Sequence, residues 1–348
     1  MTRPRLALAS LALLVAVTGC PGAARDFSEP DERDAESRPP DGSAGDSMTD
    51  GPSSDAALEG SGGASSDAAP DVAPPVPLPV KIANFNTHDF FNDRRDSPEI
   101  ANEQVLSTAE YRDKLDRVAG VLRSLAPDLA VLVEVENEHV TADLAAKLGG
   151  YPHHTTSQGN DPRGIDIAVL SRFPLESVVS HKNDYFSPST NGLDTYKYAR
   201  DCLEVHLTVN GRKIVLLGIH FKAGSETKSQ EKRLAEAERT RAIALALEAS
   251  EPAAAVITLG DFNATPDSPP MLALVGAPPK QLTLVGSFVP ASERYSFVYQ
   301  GDEQLIDNQA LGGRAAALLQ PSTVSILHSA AVAEASDHFP VAATYLVE

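Results

Sequence analysis

The chain has 348 residues, with 48 acidic and 29 basic side chains and a formal net charge of -19. The chain has two Cys, too few for a small disulfide scaffold. Its composition, with 42% hydrophobic residues, also excludes collagens and coiled-coil arrays. The acidity also argues against tight nucleic-acid binding through a broad basic surface, because phosphate contacts of that kind need many Lys and Arg side chains.

The first predicted element is a lipoprotein signal peptide over residues 1–19. Two arginines precede an apolar run over residues 6–17, which at about 12 residues is too short to span a bilayer. The run ends in Val17-Thr18-Gly19-Cys20, which resembles a bacterial lipobox and predicts cleavage before Cys20 and acylation of its sulfur. An ordinary secretory signal with a chance Cys is the alternative. Acylation would leave Cys202 without an intramolecular disulfide partner.

Residues 20–78 are predicted to form a disordered acidic tether. They are rich in Pro, Ser, Gly, Ala and Asp, and they lack the apolar content needed to offset the entropy lost on ordering. They carry about half of the formal charge of -19, so the argument against nucleic-acid binding applies only to the remaining acidity. A flexible coil of this length spans roughly 40 Å root-mean-square, enough to hold a domain clear of a membrane. A purely solubilising role is the alternative.

Residues 79–348 are long enough for one large α/β domain, in which strand-like runs alternate with helical ones. The predicted strands are 80–85, 129–133, 165–170, 203–209, 214–219, 256–259 and 341–346. A capping box of Ser107 and Glu110 starts a helix that ends before Pro127, and a second helix is predicted over residues 230–247.

Polar side chains stand where several of these strands end. They are Asn86, Glu134, His220, Asp261 and Asn263, joined by Ser336, Asp337 and His338 before the last strand. Each taken singly has a structural interpretation, such as a turn, a solvated strand end or a satisfied core histidine. Because strand ends feeding loops are where α/β sheets place their chemistry, the whole set predicts an active site.

Five ordered motifs of the chain resemble those of the endonuclease/exonuclease/phosphatase superfamily, which has the DNase I-like fold. The motifs are residues 80–86, residues 127–134, Gly218-Ile219-His220, Leu259-Gly260-Asp261-Phe262-Asn263 and Ser336-Asp337-His338-Phe339-Pro340. The resemblance covers essentially all of residues 79–348. It implies an α/β fold, a four-layered sandwich of two packed β-sheets flanked by helices. Residues 134–137, 163–166 and 220–222 are similar to the secreted bacterial nuclease-like branch.

The resemblance implies a site for Mg²⁺, or for Mn²⁺ or Ca²⁺, held by Asn86 and Glu134, with Asp337 as a candidate additional ligand. Amide and carboxylate oxygens suit such hard cations. The sequence contains no Cys/His cluster with the spacing of a zinc site.

The same resemblance assigns catalytic roles. Asp261 would orient or deprotonate the attacking water, and Asn263 would hydrogen-bond the phosphate. His338 needs a carboxylate to fix its tautomer and favour its charged form, and Asp307 is the matching candidate. Family members often continue the Leu305-Ile306-Asp307 motif with His, whereas this chain has Asn308.

Further residues are implied in substrate binding. His220 would contact the phosphate or protonate the leaving oxygen, oriented by Asp166. Arg200 matches an arginine that contacts backbone phosphate, with an exposed pair to Asp201 as the alternative. Lys222 would serve likewise, unless it is only a solvated charge at a strand end.

The function predicted is a metal-dependent phosphodiesterase acting on nucleic acid outside the cell. A phosphatase or a sphingomyelinase-like phospholipid phosphodiesterase would use the same catalytic groups, and a non-catalytic surface-binding lipoprotein is the alternative of another class. The aromatic group Tyr185, Phe186, Tyr196 and Tyr198 could stack on bases or only pack a long loop. Relatives that cut abasic DNA carry Asp where His88 stands, which weakens that substrate assignment.

The predicted location is the bacterial cell envelope, with the chain lipid-anchored and no protein partner expected. Pro21 after Cys20 favours the outer over the inner membrane. If the lipobox interpretation fails, the chain would be secreted or periplasmic.

Overall fold

A computed structural model describes residues 76–190 and 192–348. The predicted signal peptide, Cys20 and almost all of the predicted tether lie outside the described residues and stay predictions. The strands are β1 Leu78–Phe90, β2 Leu129–Val135, β3 His153–Ser157, β4 Asp166–Ser171, β5 Ser177–Ser180, β6 Cys202–Val209, β7 Arg212–His220, β8 Ala255–Asp261, β9 Thr283–Leu284, β10 Phe297–Tyr299, β11 Asp302–Gln304, β12 Asp307–Leu311, β13 Leu319–Ile326 and β14 Val341–Val347. The α-helices are α1 Thr108–Leu125, α2 Glu138–Leu148, α3 Thr227–Ser250, α4 Pro269–Val275, α5 Gly313–Leu318 and α6 Ala330–Ala335.

Two six-stranded sheets form the centre of the described chain. Their strand orders are β13-β14-β1-β2-β4-β3 and β5-β6-β7-β8-β12-β9, and β10 and β11 form a separate hairpin. Only the neighbours β1/β2 and β7/β8 are parallel, and a helix crosses over between the two strands of each pair, α1 in the first and α3 in the second. Parallel neighbours need such a crossover, whereas the antiparallel pairs do not.

The apolar side chains of the sheets divide into three clusters. One lies between the two sheets and contains Ile82, Val131 and Ile257. A second packs the other face of the first sheet against α1, α2 and α6, and a third packs the second sheet against α3 and α4. The order helix, sheet, sheet, helix confirms the predicted four-layered sandwich.

The helix α1 begins and ends where the sequence predicts. Ser107 Oγ accepts a hydrogen bond from Glu110 N at 3.3 Å, and Glu110 Oε2 accepts one from Ser107 N at 2.9 Å. This reciprocal cap satisfies two backbone donors at the helix start. Ala126 follows the last turn in the left-handed conformation. The second predicted helix is longer than expected, since α3 spans 24 residues, and no helix in the described chain is long and apolar enough to cross a membrane.

The two-residue period of the strands carries polar residues to one end of the inter-sheet core. In β1, Ile82 belongs to that core, and the period places Asn86 on the same face. In β8, Leu259 belongs to the same core, and Asp261 lies two residues further on the same face. The two-residue period also places His220 of β7 and Asp307 of β12 on the inner faces of their strands. The sheets therefore deliver four polar side chains to a single place.

Gly260 allows β8 to approach β7 closely just before Asp261. Its φ is +142°, and a Cβ built there would lie 1.9 Å from the backbone oxygen of Ile219. No side chain can be accommodated at that distance, so the glycine before Asp261 is a requirement of strand pairing.

We expect Gly260→Ala to lower the free energy of unfolding by more than about 3 kcal/mol, because both the backbone conformation and the contact with Ile219 become unfavourable. Urea denaturation measures the change. Gly120→Ala in α1 is the control, since its Cβ would meet nothing within 4 Å, and it should stabilise the protein by about 0.5–1 kcal/mol. Wild-type stability of Gly260→Ala would contradict this account of the strand contact.

Candidate active site

Six polar side chains predicted from the sequence meet at one end of the inter-sheet core. They are Asn86, Glu134, His220, Asp261, Asp307 and His338. All are buried except Glu134, which is half-buried. Five of them come from five different strands or their ends, and His338 lies in the turn before β14.

Asn86 connects the two sheets at this point. Its Nδ2 donates to Glu134 Oε1 at 3.2 Å and to Asp261 Oδ2 at 3.0 Å. Its Oδ1 accepts a hydrogen bond from His88 N at 2.9 Å. The amide therefore satisfies one carboxylate from each sheet, which lowers the cost of burying both.

Glu134 reaches Asn86 through an irregularity in β2. Val133 faces the inter-sheet core, so a regular pleat would point Glu134 to the opposite face. The register with β4 shifts between Val133 and Val135, and Glu134 has a φ of +62°. Three other non-glycine residues around the site have a positive φ, namely His88, Asp89 and Asn263. Such conformations are costly and persist where the surrounding structure requires them.

The Glu134 carboxylate is kept in its charged form. Burial opposes ionisation, but the hydrogen bond from Asp89 N at 2.9 Å and the positive charges of Arg163, His338 and Arg200 outweigh it, so the pKa of Glu134 lies below its ordinary value. Glu134 is therefore a permanent negative charge at this site at neutral pH.

Asp261 has the opposite tendency. Burial and then the charge of Asp307 raise its pKa to about 7, although His338 and the hydrogen bonds from Asn263 N and Asn86 oppose the rise. The hydrogen bond from Asn263 N to Asp261 Oδ1 is 2.7 Å long. A carboxylate with a pKa near the working pH can accept and release a proton there.

The predicted partner of His338 is confirmed. His338 Nδ1 lies 2.7 Å from Asp307 Oδ2. Burial disfavours the charged ring, but Asp307 and then Asp261 outweigh burial and raise the pKa of His338 to about 10. The Oγ of Ser296 accepts hydrogen bonds from the backbone N–H groups of Ile306 and Asp307, which holds the partner in place.

The second ring nitrogen of His338 is directed into the cluster. Nε2 lies 3.5 Å from Asn86 Nδ2. Because the imidazolium and the amide nitrogen are both donors, this contact is not a hydrogen bond. The Nε2–H group is thus available to a ligand that accepts a hydrogen bond.

His220 is neutral at neutral pH. Burial, then the positive charges of Arg200, Arg163 and His338, hold its pKa well below the ordinary value. Its Nε2 lies 3.6 Å from Asp261 Oδ2 and 3.8 Å from Glu134 Oε1. Of the two roles predicted for His220, the neutral ring favours hydrogen bonding to the phosphate over protonation of the leaving oxygen.

The predicted pairing of His220 with Asp166 is wrong. His220 Nδ1 has no hydrogen-bond partner, and Asp166 Oδ1 instead accepts a hydrogen bond from Gly159 N at 2.6 Å. Burial, with smaller contributions from Asp161 and Asp201, raises the pKa of Asp166 to about 7. Asp166 is a buried carboxyl beside the site rather than a partner of the catalytic histidine.

Arg200 is buried, with an exposed fraction of only 3%. Its Nε lies 2.8 Å from Asp161 Oδ2, and its Nη1 donates to the backbone oxygen of Phe221 at 3.2 Å. The alternative of an exposed pair with Asp201 is wrong, because the Asp201 carboxylate accepts hydrogen bonds from Ser157 and Ser180. A direct contact of Arg200 with phosphate stays a prediction.

Two cations near the site were not assigned a role from the sequence. Arg163 forms two contacts of 3.1 Å with the Asp161 carboxylate, lies 3.9 Å from Asp89 Oδ1, and is 42% exposed.

The second of these cations is Lys114, whose Nζ donates to the backbone oxygens of His88 and Ala335 at 2.8 and 2.7 Å. Lys114 follows Tyr111 by three residues on the buried face of α1, so helical spacing could have identified it.

The remaining predicted residues lie at the edge of the cluster or beyond it. Asp337 is half exposed, with Oδ1 3.4 Å from His88 Nδ1 and 4.0 Å from His338 Nε2. Asn263 Nδ2 donates to the backbone oxygen of Phe221 at 3.0 Å. The backbone N–H of Lys222 donates to Glu236 Oε2 at 2.7 Å, which fixes the course of the chain after β7.

The aromatic group of residues 185–198 mainly packs its own loop. The rings of Phe186 and Tyr198 meet edge to face at 4.9 Å, and Phe186 pairs with Tyr196 through the backbone. Tyr185 is the exception, because it is 72% exposed and lies under the Lys197 ammonium at 4.6 Å. Packing is therefore the confirmed explanation for all but Tyr185.

The donor set fits a hard divalent cation. Glu134 supplies an ionised carboxylate and Asn86 an amide oxygen, which are the ligand types that Mg²⁺ prefers. Asn86 presents Nδ2 to the two carboxylates, so ligation through Oδ1 would need rotation of the amide. Asp261, Asp307 and His338 also offer ligand atoms within 4.8 Å of one another.

The described residues contain a single cysteine, Cys202, which is buried and free.

A model of the endonuclease/exonuclease/phosphatase family matches residues 81–332. No curated protein matches the sequence. Similar solved structures include an endonuclease/exonuclease/phosphatase family protein from Bacteroides thetaiotaomicron, with 15% identity, a TM-score of 0.53 and coverage of 78% of this chain and 99% of that chain.

Two eukaryotic structures are similar to the same extent. TDP2 from D. rerio, complexed with single-strand DNA product, has 15% identity, a TM-score of 0.52 and coverage of 77% of this chain and 98% of its own. The human nocturnin catalytic domain has 14% identity, a TM-score of 0.53 and coverage of 78% and 96%. At such low identity these structures share the fold with this chain, and the fold alone does not define a substrate.

We expect Asp166→Asn to stabilise the protein in a pH-dependent way. Folding raises the pKa of Asp166 from 3.8 to about 7, so the folded protein binds more protons than the unfolded chain between these values, and stability falls as pH rises through this window. The neutral amide should therefore add up to about 4 kcal/mol at pH 8 and almost nothing at pH 4.

Urea denaturation at the two pH values tests this expectation. The exposed Asp302 in β11 provides the control variant Asp302→Asn, which should change little at either pH. An equal gain for Asp166→Asn at both pH values would show that its carboxyl is not protonated by burial.

Proposed function

The chain belongs to the endonuclease/exonuclease/phosphatase family, whose members hydrolyse phosphoester bonds, and we propose that it is a divalent-cation-dependent phosphodiesterase acting on nucleic acid outside the cytoplasm. The cluster of Asn86, Glu134, Asp261 and the Asp307–His338 pair carries this assignment. It combines hard ligands, a carboxylate that can take up a proton, and a charged hydrogen-bond donor within contact distance of one another.

Glu134 and Asn86 would hold the cation, with Asp337 at the edge of the cluster as an additional ligand. When bound, the cation neutralises negative charge on the phosphoryl oxygens. Glu134 suits this role because its carboxylate is already ionised and is oriented by Asp89 N.

Asp261 orients the attacking water and takes up its proton. Its two oxygens are held by Asn263 N and Asn86 Nδ2, at 2.7 and 3.0 Å, so the carboxylate cannot turn away. A pKa of about 7 makes it a base that can act at neutral pH.

His338 stabilises the charge that develops on the phosphoryl group. Asp307 fixes the ring through Nδ1 and keeps it charged, so that the Nε2–H group donates to a phosphoryl oxygen. Neutral His220, at the end of β7, supplies a further hydrogen bond.

Three features support nucleic acid as the substrate. Arg163, 42% exposed beside Asp89, can contact a phosphate. The ring of Phe297 lies 4.6 Å from that of His338, and Tyr299 next to it is 54% exposed, so the hairpin of β10 and β11 offers aromatic faces to a base. The TDP2 structure with single-strand DNA product has the same fold. The remaining acidity of the chain argues for few phosphate contacts rather than a broad basic surface.

Export and membrane attachment rest on the sequence alone. The basic and apolar start of the chain and the sequence Val17-Thr18-Gly19-Cys20 support a lipid anchor at Cys20, and Pro21 supports sorting to the outer membrane. Electrophoretic shift of a Cys20→Ser variant, which would lose the lipid, tests the anchor separately from the enzymatic activity.

Asp261→Asn should lower the rate of phosphodiester cleavage by about 10²–10⁴-fold, because the amide cannot take a proton from water. The substitution keeps the shape of the side chain, but its NH2 group must face one of the two donors, Asn263 N or Asn86 Nδ2, so a melting curve first checks that the variant is folded. Asp267→Asn, an exposed Asp in the same loop, is the matched control and should keep full activity. Wild-type rates for Asp261→Asn would refute this site.

The substrate class is tested with the full chain on plasmid DNA, RNA, sphingomyelin and inositol phosphates, each with Mg²⁺ or EDTA. We expect cleavage of DNA or RNA that requires Mg²⁺. Turnover of sphingomyelin or inositol phosphates alone would move the function to the phospholipid or phosphatase class. No turnover of any substrate with any divalent cation would leave only the binding function.

A further inference from the structure

A second group of acidic side chains lies outside the catalytic cluster. Asp96 and Glu103 are in the loop between β1 and α1, and Glu136 follows the last residue of β2. Each offers a carboxylate oxygen, and these oxygens lie within 4.8 Å of one another. We call this group the loop carboxylate cluster.

Two members of the loop carboxylate cluster are buried and incompletely paired. Glu103 and Glu136 are 7% and 3% exposed. One oxygen of each is satisfied by backbone N–H groups: Glu136 Oε2 accepts from Asn92 N at 2.7 Å, and Glu103 Oε1 accepts from Asp96 N and Ser97 N at 2.7 and 2.6 Å. The other oxygens, Glu136 Oε1 and Glu103 Oε2, have no hydrogen-bond partner. Buried carboxylate oxygens without a partner are costly.

The basic side chains nearby do not hydrogen-bond the two unpartnered glutamate oxygens. Arg95 Nη1 lies 3.7 Å from Glu103 Oε2, but the Arg95 side chain is 70% exposed, so the pair is screened by water. His139 Nδ1 contacts Asp96 Oδ2 at 2.6 Å, and the His139 side chain is 60% exposed.

The third carboxylate is oriented toward the other two by neutral donors. Asp96 Oδ1 accepts hydrogen bonds from Asn92 Nδ2 at 3.1 Å and from Asn137 Nδ2 at 2.8 Å. Such amide donors orient ligand carboxylates without neutralising them. The Asp96 side chain is 17% exposed, so water can reach the cluster from this side.

We propose that the loop carboxylate cluster binds a calcium ion. Three carboxylates, two of which have an unpartnered oxygen, form an all-oxygen donor set, whereas zinc prefers Cys and His ligands. Calcium accepts six to eight oxygen ligands in irregular geometry, whereas Mg²⁺ demands an octahedron and keeps most of its water. Water entering beside Asp96 would complete the coordination of the ion.

A cation at this position would stabilise the catalytic cluster indirectly. Glu136 N donates to Phe90 O at 3.1 Å, and two residues earlier Glu134 Oε2 accepts from Asp89 N. The end of β1 is thus joined to the end of β2 at the left-handed Glu134 and again at Glu136. Calcium would add a third connection through Glu103, and it acts in positioning, not in the chemistry.

The test uses the full chain carrying Glu134→Gln, which disables the catalytic cation site but leaves the loop carboxylate cluster intact. After removal of metals with EDTA, calcium is titrated by calorimetry, and the melting temperature is measured with and without calcium. We expect one saturable site and a rise in melting temperature of several degrees. An equal concentration of Mg²⁺ should not reproduce the rise.

Adding Glu136→Gln or Glu103→Gln to this background should abolish both effects, because each removes a charged ligand while its amide oxygen keeps the hydrogen bond from the backbone. Glu99→Gln is the matched control, an exposed acidic residue in the same loop, and should leave both effects unchanged. Should either buried variant fail to fold, Asp96→Asn, at the partly exposed member, is expected to weaken calcium binding at least tenfold.

Three results would overturn the calcium site. The first is no saturable calcium binding in the Glu134→Gln chain. The second is binding that survives both Glu136→Gln and Glu103→Gln. The third is a Glu136→Gln chain that melts higher than its parent in EDTA, with the parent itself unresponsive to calcium, which would show that the two glutamates share a proton instead.

Discussion

The constraint on which the rest of this structure depends is the burial of carboxylates at one end of the core between the two sheets. Asp261 and Asp307 are almost completely removed from water, and Glu134 is half-buried beside them. Each needs a donor that the protein supplies, because unpaired buried charge costs several kcal/mol, on the order of 3–5 when one partner is removed. Asn86 and His338 supply the shared donors, so the same contacts that order the catalytic groups also join the two sheets.

The positive charges around these carboxylates differ in how they are held, and this explains how an acidic chain can receive an anionic substrate. His338 is inside the cluster, kept charged by Asp307. Arg200 and Arg163 share the carboxylate of Asp161, one buried and the other partly open to solvent. A single acid thus fixes two cations near Glu134, and the local field does not follow the net charge of -19.

The strand period and the order of motifs allowed much of the fold and site to be predicted, because both are local properties. The helix cap at Ser107 and the inner-face positions of Asn86 and Asp261 follow from spacing alone. The orientation of Glu134 does not, since it depends on a positive φ that no residue pattern reveals. The partner of Asp166 and the roles of Asp161 and Arg163 were missed. They depend on the conformation of the loop between β3 and β4, whose sequence has no periodicity from which a structure can be predicted. The helix α2 was also missed, although Asn137 caps it.

The pairing of β1 with β14 places the beginning of the described chain far from the catalytic cluster. Leu78 is opposite Val347, whereas Asn84 is opposite Val341 near the cluster, so β1 enters the sheet at the other end of the strands. Asn210 holds that entry point through hydrogen bonds to the backbone oxygens of Val76 and Val347. A label or a solid support coupled directly ahead of residue 76 would therefore join the chain at the end of β1 that lies away from the catalytic cluster, and it would leave the cluster accessible.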